Sequence, residues 1–395
     1  MPEPSDRAAV FDRVFGTHLR QYRIEEHDPH SLEVQLIARV LANARHQIDA
    51  HRALGTVGMP HVHFFLIDNP RLNARAGFDL DTGTGCIGIY TGAILLLFDA
   101  FARMMSHPHI KVDVGRASDE ATREPYHSEG FFLNHEELIA SRGSAAGRLL
   151  DVLPVDPIRR RYAFVLGGSA LSFLVQHELA HIRHGHIHFL RNAGAHLVSE
   201  LVLDARASGL SSDQCITLQA LEFDADAYAS MTSHPWLSPT VSTELRCADR
   251  ELTLGGRFPH ADWHQPVFMA DWFFAIPSMF WLFGLNFDLS RLDANAHPPG
   301  PQRALNVAGT IMTHLVANRA SERIRDYVGR ASSLGLGESG DAVRLLSGGG
   351  AVSPTVHMIN AWRSGAFDRH VDRLKQRWTQ IRGDLARYSY SALAP

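Results

Sequence analysis

Apolar residues recur at intervals of three and four along most of the chain, which is the spacing of amphipathic helices. Residues 1–57, which include LEVQLIARVLANARHQIDA, follow this pattern. Two short stretches do not. HVHFFLID (61–68), ended by Asn69-Pro70, and CIGIYTG (86–92), preceded by a glycine-rich stretch, each predict a strand. The pattern therefore predicts a mainly helical α+β protein with a small β-sheet.

Further helical patterns follow in the second half of the chain. The longest, AFVLGGSALSFLVQHELAHIRHG (163–185), is apolar along most of its length, so we expect it in the core. Residues 331–353 are rich in glycine and serine and predict a loop or linker. The other predicted helices are LVLDARASGL (201–210), ITLQALEFDADAYASMT (216–232), NAHPPGPQRALNVAGTIMTHL (295–315, a loop entering a helix) and FDRHVDRLKQRWTQIRGDLARY (367–388).

Two continuous apolar runs raise the question of a membrane span. IGIYTGAILLLF (87–98) has 12 residues, and WFFAIPSMFWLFGLNF (272–287) has 16 with Pro277 inside it. A spanning helix needs about 20 apolar residues, so both runs are expected in a protein core. The first residues of the chain are acidic where an export signal is basic, so no export signal is expected.

Composition narrows the class of protein further. The formal net charge is −4, which gives no electrostatic reason to expect nucleic acid as a partner. The three cysteines, Cys86, Cys215 and Cys247, are far apart and form no C-x-x-C pair. This spacing argues against a disulfide framework or a thiolate metal site and favours a reducing, cytoplasmic location. The chain also has 24 histidines, some of which are expected to bind metal.

The candidate chemistry begins at H-E-L-A-H (177–181) within the long apolar helix. His177 and His181 are four residues apart, so both imidazoles leave one face of the helix and can bind one ion. Glu178 lies about 100° round the helix, beside such an ion, where it can accept a proton from metal-bound water. A five-residue match can also arise by chance in a histidine-rich chain.

A catalytic zinc needs a third protein ligand. A histidine six residues after His181 is absent, because position 187 is isoleucine, and His184 is expected to be a neighbour of the site or exposed rather than a ligand. The better candidate is Glu222 in ALEFDADAYA (220–229), with Asp226 one turn further on the same face. Asp226 is then expected to accept the second N–H of a ligating histidine. The alternative is a solvated acidic face.

Several separated motifs resemble the gluzincin metalloproteases of the HtpX heat-shock protease and CAAX prenyl endopeptidase type. HELAHIRHGH resembles the zinc helix of that family, and LEFDADAYA resembles its E-x-x-A-D helix. HPPGPQR (297–303) resembles the family's His-Pro-Pro loop that ends in arginine. The weaker similarities are the strand with Asn73-Ala74 in FLIDNPRLNARAG and the strand with Thr91-Gly92 in IGIYTGAILLL.

The resemblance implies a zincin-like domain, which we place at residues 58–310, with a small sheet beside the zinc helix. The flanking helical regions at 1–57 and 311–395 have no counterpart in that family. It implies one zinc ion held by His177, His181 and Glu222, with Glu178 as general base. It makes His297 and Arg303 candidates for contacting the substrate or the oxyanion, with Tyr228 a weaker one. CIGIYTG would then serve as an edge strand that pairs with an extended peptide, and the alternative is an ordinary core strand.

Residues 106–160 have no counterpart in that family and are interpreted as an insertion or flap. They enter the chain between a strand and the zinc helix, so both of their ends are expected near the site, where a long loop can act as a lid.

The function predicted from these observations is a zinc-dependent endopeptidase without a membrane span that acts on peptides or proteins. Two alternatives stay open. One is a metal-stabilised regulatory or binding protein with the same fold and little turnover. The other is a zinc hydrolase of a non-peptide amide. The presence of Glu178 argues against the first, because a scaffold without turnover has no need of a general base.

Overall fold

The computed structural model describes residues 4–53, 58–121, 152–193, 210–233, 269–283, 289–347 and 354–393. In these ranges the protein is mainly helical with a small mixed sheet, as the hydrophobic pattern predicts. The predicted helix at 201–210 lies almost wholly outside the described residues. The helices are α1 (Pro4–Phe15), α2 (Leu32–Ala53), α3 (Thr91–Met105), α4 (Ala117–Glu120), α5 (Pro157–Arg183), α6 (His186–Ala193), α7 (Ser212–Thr232), α8 (Met269–Phe283), α9 (Gly300–Ala317), α10 (Glu322–Leu346), α11 (Pro354–Arg363) and α12 (Ala366–Leu385).

Three strands form the sheet in the described part of the chain: β1 (Val62–Ile67), β2 (Ala74–Asp79) and β3 (Thr84–Tyr90), in the order β1-β3-β2. β3 pairs in parallel with β1 and antiparallel with β2. The two predicted strands are confirmed. The pattern missed β2, because its sequence ARAGFD carries a glycine and an arginine instead of an apolar run.

The expectation that CIGIYTG forms an edge strand is wrong. Both sides of β3 are occupied by neighbouring strands, with Ile87 opposite Phe64 on one side and Ala76 on the other. β3 is therefore the central strand of the sheet and has no free hydrogen-bonding edge for a peptide. All seven of its residues are also buried. The strand also ends at Tyr90, because Thr91 already begins helix α3.

Aromatic side chains of helix α1 pack against the sheet. Phe11 and Phe15 lie with their ring centroids 5.5 and 5.9 Å from that of Phe65 on β1. Gly77 on β2 leaves room for Val14, since a Cβ at Gly77 would lie 2.2 Å from the Val14 side chain. The N-terminal helices therefore share the hydrophobic core with the sheet and with α5.

Helix α5 is the central helix of the fold, and α2, α3, α7 and α8 all pack against it. It begins with Pro157, after Asp156, whose carboxylate accepts the backbone N–H of Ile158 and of Arg159 as a helix cap. It ends at Arg183, because Gly185 adopts a φ of +74°, in the left-handed region that ends helices. The predicted helix is confirmed, and it begins six residues earlier than the apolar pattern indicates.

The described ends of segment 106–160 lie far from the HELAH motif. The buried guanidinium of Arg159 donates to five backbone carbonyls, those of Met105, His107, Ile110, Lys111 and Val114. These contacts fix the segment to the first turn of α5, about 27 Å from His177 at 1.5 Å per helical residue. The premise that both ends lie near the site is therefore wrong. Residues 122–151 lie outside the described part of the chain.

The prediction of a loop at 331–353 is also wrong over most of that range. Helix α10 runs through it to Leu346, and 348–353 lie outside the described residues. Gly335 allows α10 to approach α8, since a Cβ there would lie 2.5 Å from the carbonyl oxygen of Ala270. The serine hydroxyls donate to carbonyls three or four residues earlier, as Ser333 does to Gly329, so they do not compete with the helix.

The aromatic run that was predicted to be core is buried. Helix α8 is buried from Met269 to Leu282 despite Pro277 inside it, and residues 284–287 of the run lie outside the described part. Among the described helices, α5 has the length and composition that could cross a membrane, and 72% of its most apolar window is buried inside the fold. A buried core helix of a protein without a membrane span can have the same length and composition.

The contact between α8 and α10 gives a prediction with an internal control. Gly335→Ala should lower the free energy of unfolding by about 1–2 kcal/mol, because the new methyl group meets backbone atoms that cannot move aside. Gly337→Ala, two residues along the same helix with open space around it, should raise stability by up to about 1 kcal/mol through helix propensity. Urea unfolding measures both. Equal effects of the two substitutions would contradict the close approach of the helices.

Candidate metal centre

Helices α5 and α7 pack against each other and bring together three side chains that could hold a metal ion. His177 and His181 lie one turn apart on α5, and Glu222 faces them from α7. The Nε2 atoms of the two histidines are 3.1 Å apart. The Glu222 carboxylate lies 3.5 Å from Nε2 of His177 and 3.3 Å from Nε2 of His181. All three side chains are buried, so the structure brings the three predicted ligands to one point.

Asp226 occupies the position predicted for it. Its Oδ1 lies 2.9 Å from Nδ1 of His177, so the ring can donate its Nδ1 proton and keep the Nε2 lone pair for a metal. Arg303 on α9 donates two hydrogen bonds to the same carboxylate, at 2.7 and 2.8 Å. This bidentate pair neutralises Asp226 and holds it in place.

His181 also has a partner at its Nδ1 atom, which the sequence analysis did not single out. Nδ1 of His186, the first residue of α6, lies 2.9 Å away. Nε2 of His186 lies 3.1 Å from Oδ2 of Asp224, and Nδ1 of His184 contacts the same oxygen. A sequence signal was present: His184 and His186 flank the glycine that ends α5, and Asp224 lies between Glu222 and Asp226.

Burial and charge change the proton affinity of these groups. Burial raises the pKa of Glu178 to about 7. Burial would also raise the pKa of Glu222, but His297 and His177 outweigh it and hold that pKa well below its usual range. Burial lowers the pKa of His181. For His177 burial acts downward as well, but Glu222 and Asp226 raise the pKa to about 10.

The donor set fits a divalent cation. Glu222 and Asp226 are buried carboxylates, and Arg303 compensates one of these charges. When both Nδ1 atoms donate, the two Nε2 atoms and Glu222 face one another within 3.5 Å. Two lone pairs and a carboxylate this close repel one another unless a metal ion or a proton lies between them, and the raised pKa of His177 shows the same attraction for positive charge. Two imidazoles and one carboxylate are a known protein ligand set for catalytic zinc, which keeps its fourth position for water or substrate.

The three residues predicted to contact the substrate or the oxyanion, His297, Arg303 and Tyr228, have different surroundings. Nδ1 of His297 lies 3.2 Å from Oε2 of Glu222, and this side chain is 42% exposed, so it stands at the open side of the site. Arg303 is 12% exposed and donates two hydrogen bonds to Asp226, and its Nη2 also lies 3.6 Å from Oε2 of Glu222. The hydroxyl of Tyr228 is within 3.0 Å of Nδ1 of His51, with its ring against His184.

The backbone that follows α12 packs against the C-terminal end of α5. The backbone N–H of Tyr390 donates to the carbonyl of Arg183, the last residue of α5. A Cβ at Gly185 would lie 2.4 Å from the carbonyl oxygen of Tyr388, so glycine is required here both for its φ and for this approach. The turn that carries His184 and His186 is thus fixed from outside by a distant part of the sequence.

Comparisons with known proteins give no relative from which a role could be transferred: no family model, no curated protein and no solved structure matches the chain.

The pairing of Arg303 with Asp226 can be tested in metal-free protein. Arg303→Met should lower the free energy of unfolding by about 3–5 kcal/mol, because it leaves the Asp226 carboxylate buried without its cation. The double variant Arg303→Met/Asp226→Asn should lose less than Arg303→Met alone, since no uncompensated charge remains. Urea unfolding in the presence of a chelator measures both.

The control is Arg20→Met, which removes an arginine that is 70% exposed and pairs with Glu26 at the surface. Its effect should stay below about 1 kcal/mol. A double variant as unstable as Arg303→Met would show that the charge of Asp226 is not what Arg303 compensates.

Proposed function

We propose that this protein is a zinc-dependent endopeptidase with a zincin-like catalytic domain. The observation that carries the proposal is the convergence of His177, His181 and Glu222 with Glu178 beside them on the same helix. The motif resemblance to the HtpX and CAAX endopeptidase type supports it independently of the geometry. We further propose peptides or proteins as substrates, one zinc ion per chain and a cytoplasmic location.

His177, His181 and Glu222 would hold the ion. Zinc at such a site lowers the pKa of a coordinated water molecule towards 7 and polarises a carbonyl group. Asp226 fixes the ring of His177 through its Nδ1 proton, so that Nε2 points to the ligand position. Arg303 keeps Asp226 ionised, which makes that hydrogen bond stronger.

Glu178 is the general base in this proposal. In the metal-free protein burial raises the pKa of Glu178 to about 7, so this side chain can exist as carboxylate or acid near neutral pH. That property suits a group that must first accept and then release a proton. It takes one proton from the attacking water, whose oxygen bonds to the carbonyl carbon. It then delivers that proton to the amide nitrogen as the C–N bond breaks, giving a carboxylic acid and an amine.

His297 is the best placed side chain to meet the substrate. It is partly exposed and lies at the Glu222 side of the ligand position, whereas Arg303 is held by Asp226. We propose that it donates a hydrogen bond to the substrate carbonyl oxygen, where negative charge develops during attack by water. Such a donor lowers the free energy of the transition state more than that of the bound substrate.

Two substitutions separate the general base from the ligand. Glu178→Gln keeps the shape and burial of the side chain but cannot accept a proton. Peptide cleavage should therefore fall by about 100-fold or more while zinc content stays at the wild-type level. Glu222→Gln replaces an anionic ligand with a weak neutral one, so zinc content itself should fall, together with the melting temperature. Metal analysis, thermal melting and cleavage of a random peptide pool measure the three properties.

The matched control is Glu25→Gln, an exposed glutamate distant in sequence from the site, which should change none of them. A Glu222→Gln variant that retains full zinc would contradict the proposed ligand set. A wild type that binds zinc but cleaves no peptide in the pool would favour the regulatory protein or the hydrolase of a non-peptide amide.

A further inference from the structure

His184, His186 and Asp224 form a second buried cluster beside the proposed zinc site. Their ligand atoms are close enough to one another to hold a metal ion themselves. The two clusters are joined by one contact, between Nδ1 of His181 and Nδ1 of His186 at 2.9 Å. Two ring nitrogens at this distance must share one proton, because two lone pairs or two N–H groups would repel each other.

The position of that proton decides which cluster can bind a metal. If it lies on Nδ1 of His181, the Nε2 lone pair of His181 is free for zinc. His186 then accepts at Nδ1 and carries its own proton on Nε2, where it donates to Asp224. If the proton lies on His186 instead, Nε2 of His181 must be protonated in a neutral ring and cannot bind zinc.

The anionic Asp224 selects between these two states. With the proton on Nδ1 of His186 and no metal in the second cluster, the lone pair at Nε2 of a neutral His186 would face a carboxylate oxygen at 3.1 Å, which is repulsive. With the proton on His181, the same contact is a hydrogen bond from N–H to carboxylate. The same oxygen of Asp224 also contacts Nδ1 of His184, which helps to hold the carboxylate in place.

We propose that His186 is a positioning residue for His181, and that Asp224 and His184 orient it. The chain of hydrogen bonds holds the Nε2 lone pair of His181 on the zinc site, and it makes the two clusters mutually exclusive for metal. These two clusters therefore hold one metal ion between them, not two. This inference rests on the proposed zinc site but not on turnover, so metal binding alone tests it.

The experiment measures Zn²⁺ affinity of the purified full chain by competition with a chelator. His186→Phe keeps a ring of similar size but removes the acceptor, and the dissociation constant should rise by about 10–100-fold. His186→Gln retains an acceptor and a donor and should recover most of that loss. His188→Phe is the matched control, since His188 lies on the same helix against Phe78 and Tyr388, and it should leave the affinity unchanged.

Nuclear magnetic resonance of cobalt(II)-substituted protein distinguishes a specific effect on His181 from a general loss of stability. Metal-bound histidines that carry an Nδ1 proton give exchangeable, paramagnetically shifted proton resonances, one for His177 and one for His181. In His186→Phe, one of the two should exchange with solvent much faster while the other is unchanged. If that variant does not fold, Asp224→Asn should weaken Zn²⁺ binding and speed the same exchange.

Several outcomes would overturn the inference. Two metal ions bound at once per wild-type chain, of which one is lost in Asp224→Asn, would show that the clusters are independent sites. Equal affinity of His186→Phe and His188→Phe would show that His186 does not position His181. The proposed function survives both results. A wild type that binds no metal overturns the zinc site and this inference together.

Discussion

A buried imidazole ring has two nitrogens that both need a partner, and two such rings lie side by side on helix α5. The surrounding structure supplies a partner for each Nδ1 atom. Asp226 faces His177, and His186 faces His181. Both Nε2 atoms are thereby directed to the same point, next to Glu222. The arrangement of α6, α7 and α9 around α5 can be understood as the means of supplying these partners.

Helix α7 provides three carboxylates with different partners because they leave the helix in different directions. Glu222 and Asp226 are one turn apart and share a side, whereas Asp224 lies between them in sequence and meets the histidines that follow α5. Asp224 contacts His184 and His186, whereas Arg303 lies near both of the other carboxylates, 2.7 Å from Asp226 and 3.6 Å from Glu222. Because the shorter contact is with Asp226, Glu222 remains the carboxylate that faces the two Nε2 atoms.

The sequence predicted those parts of the fold and site that depend on local spacing. The helix with His177 and His181, the helix with Glu222, and β1 and β3 all follow from short-range periodicity. The order of the strands does not, because strand pairing depends on contacts distant in sequence, and β2 has no apolar alternation. Helix α10 was missed because glycine and serine are typical of loops, yet here they serve a close contact with α8. The role of His186 required knowing where the chain turns after Gly185.

The contact of Tyr388 and Tyr390 with the end of α5 has a consequence for how the protein matures. The histidines of the HELAH motif are synthesised about two hundred residues before the segment that packs on their turn. During synthesis, which proceeds from the N-terminus, a nascent chain carries His177, His181 and Glu222 long before this contact can form. The turn at Gly185 can therefore receive this support only after the segment around Tyr388 has left the ribosome.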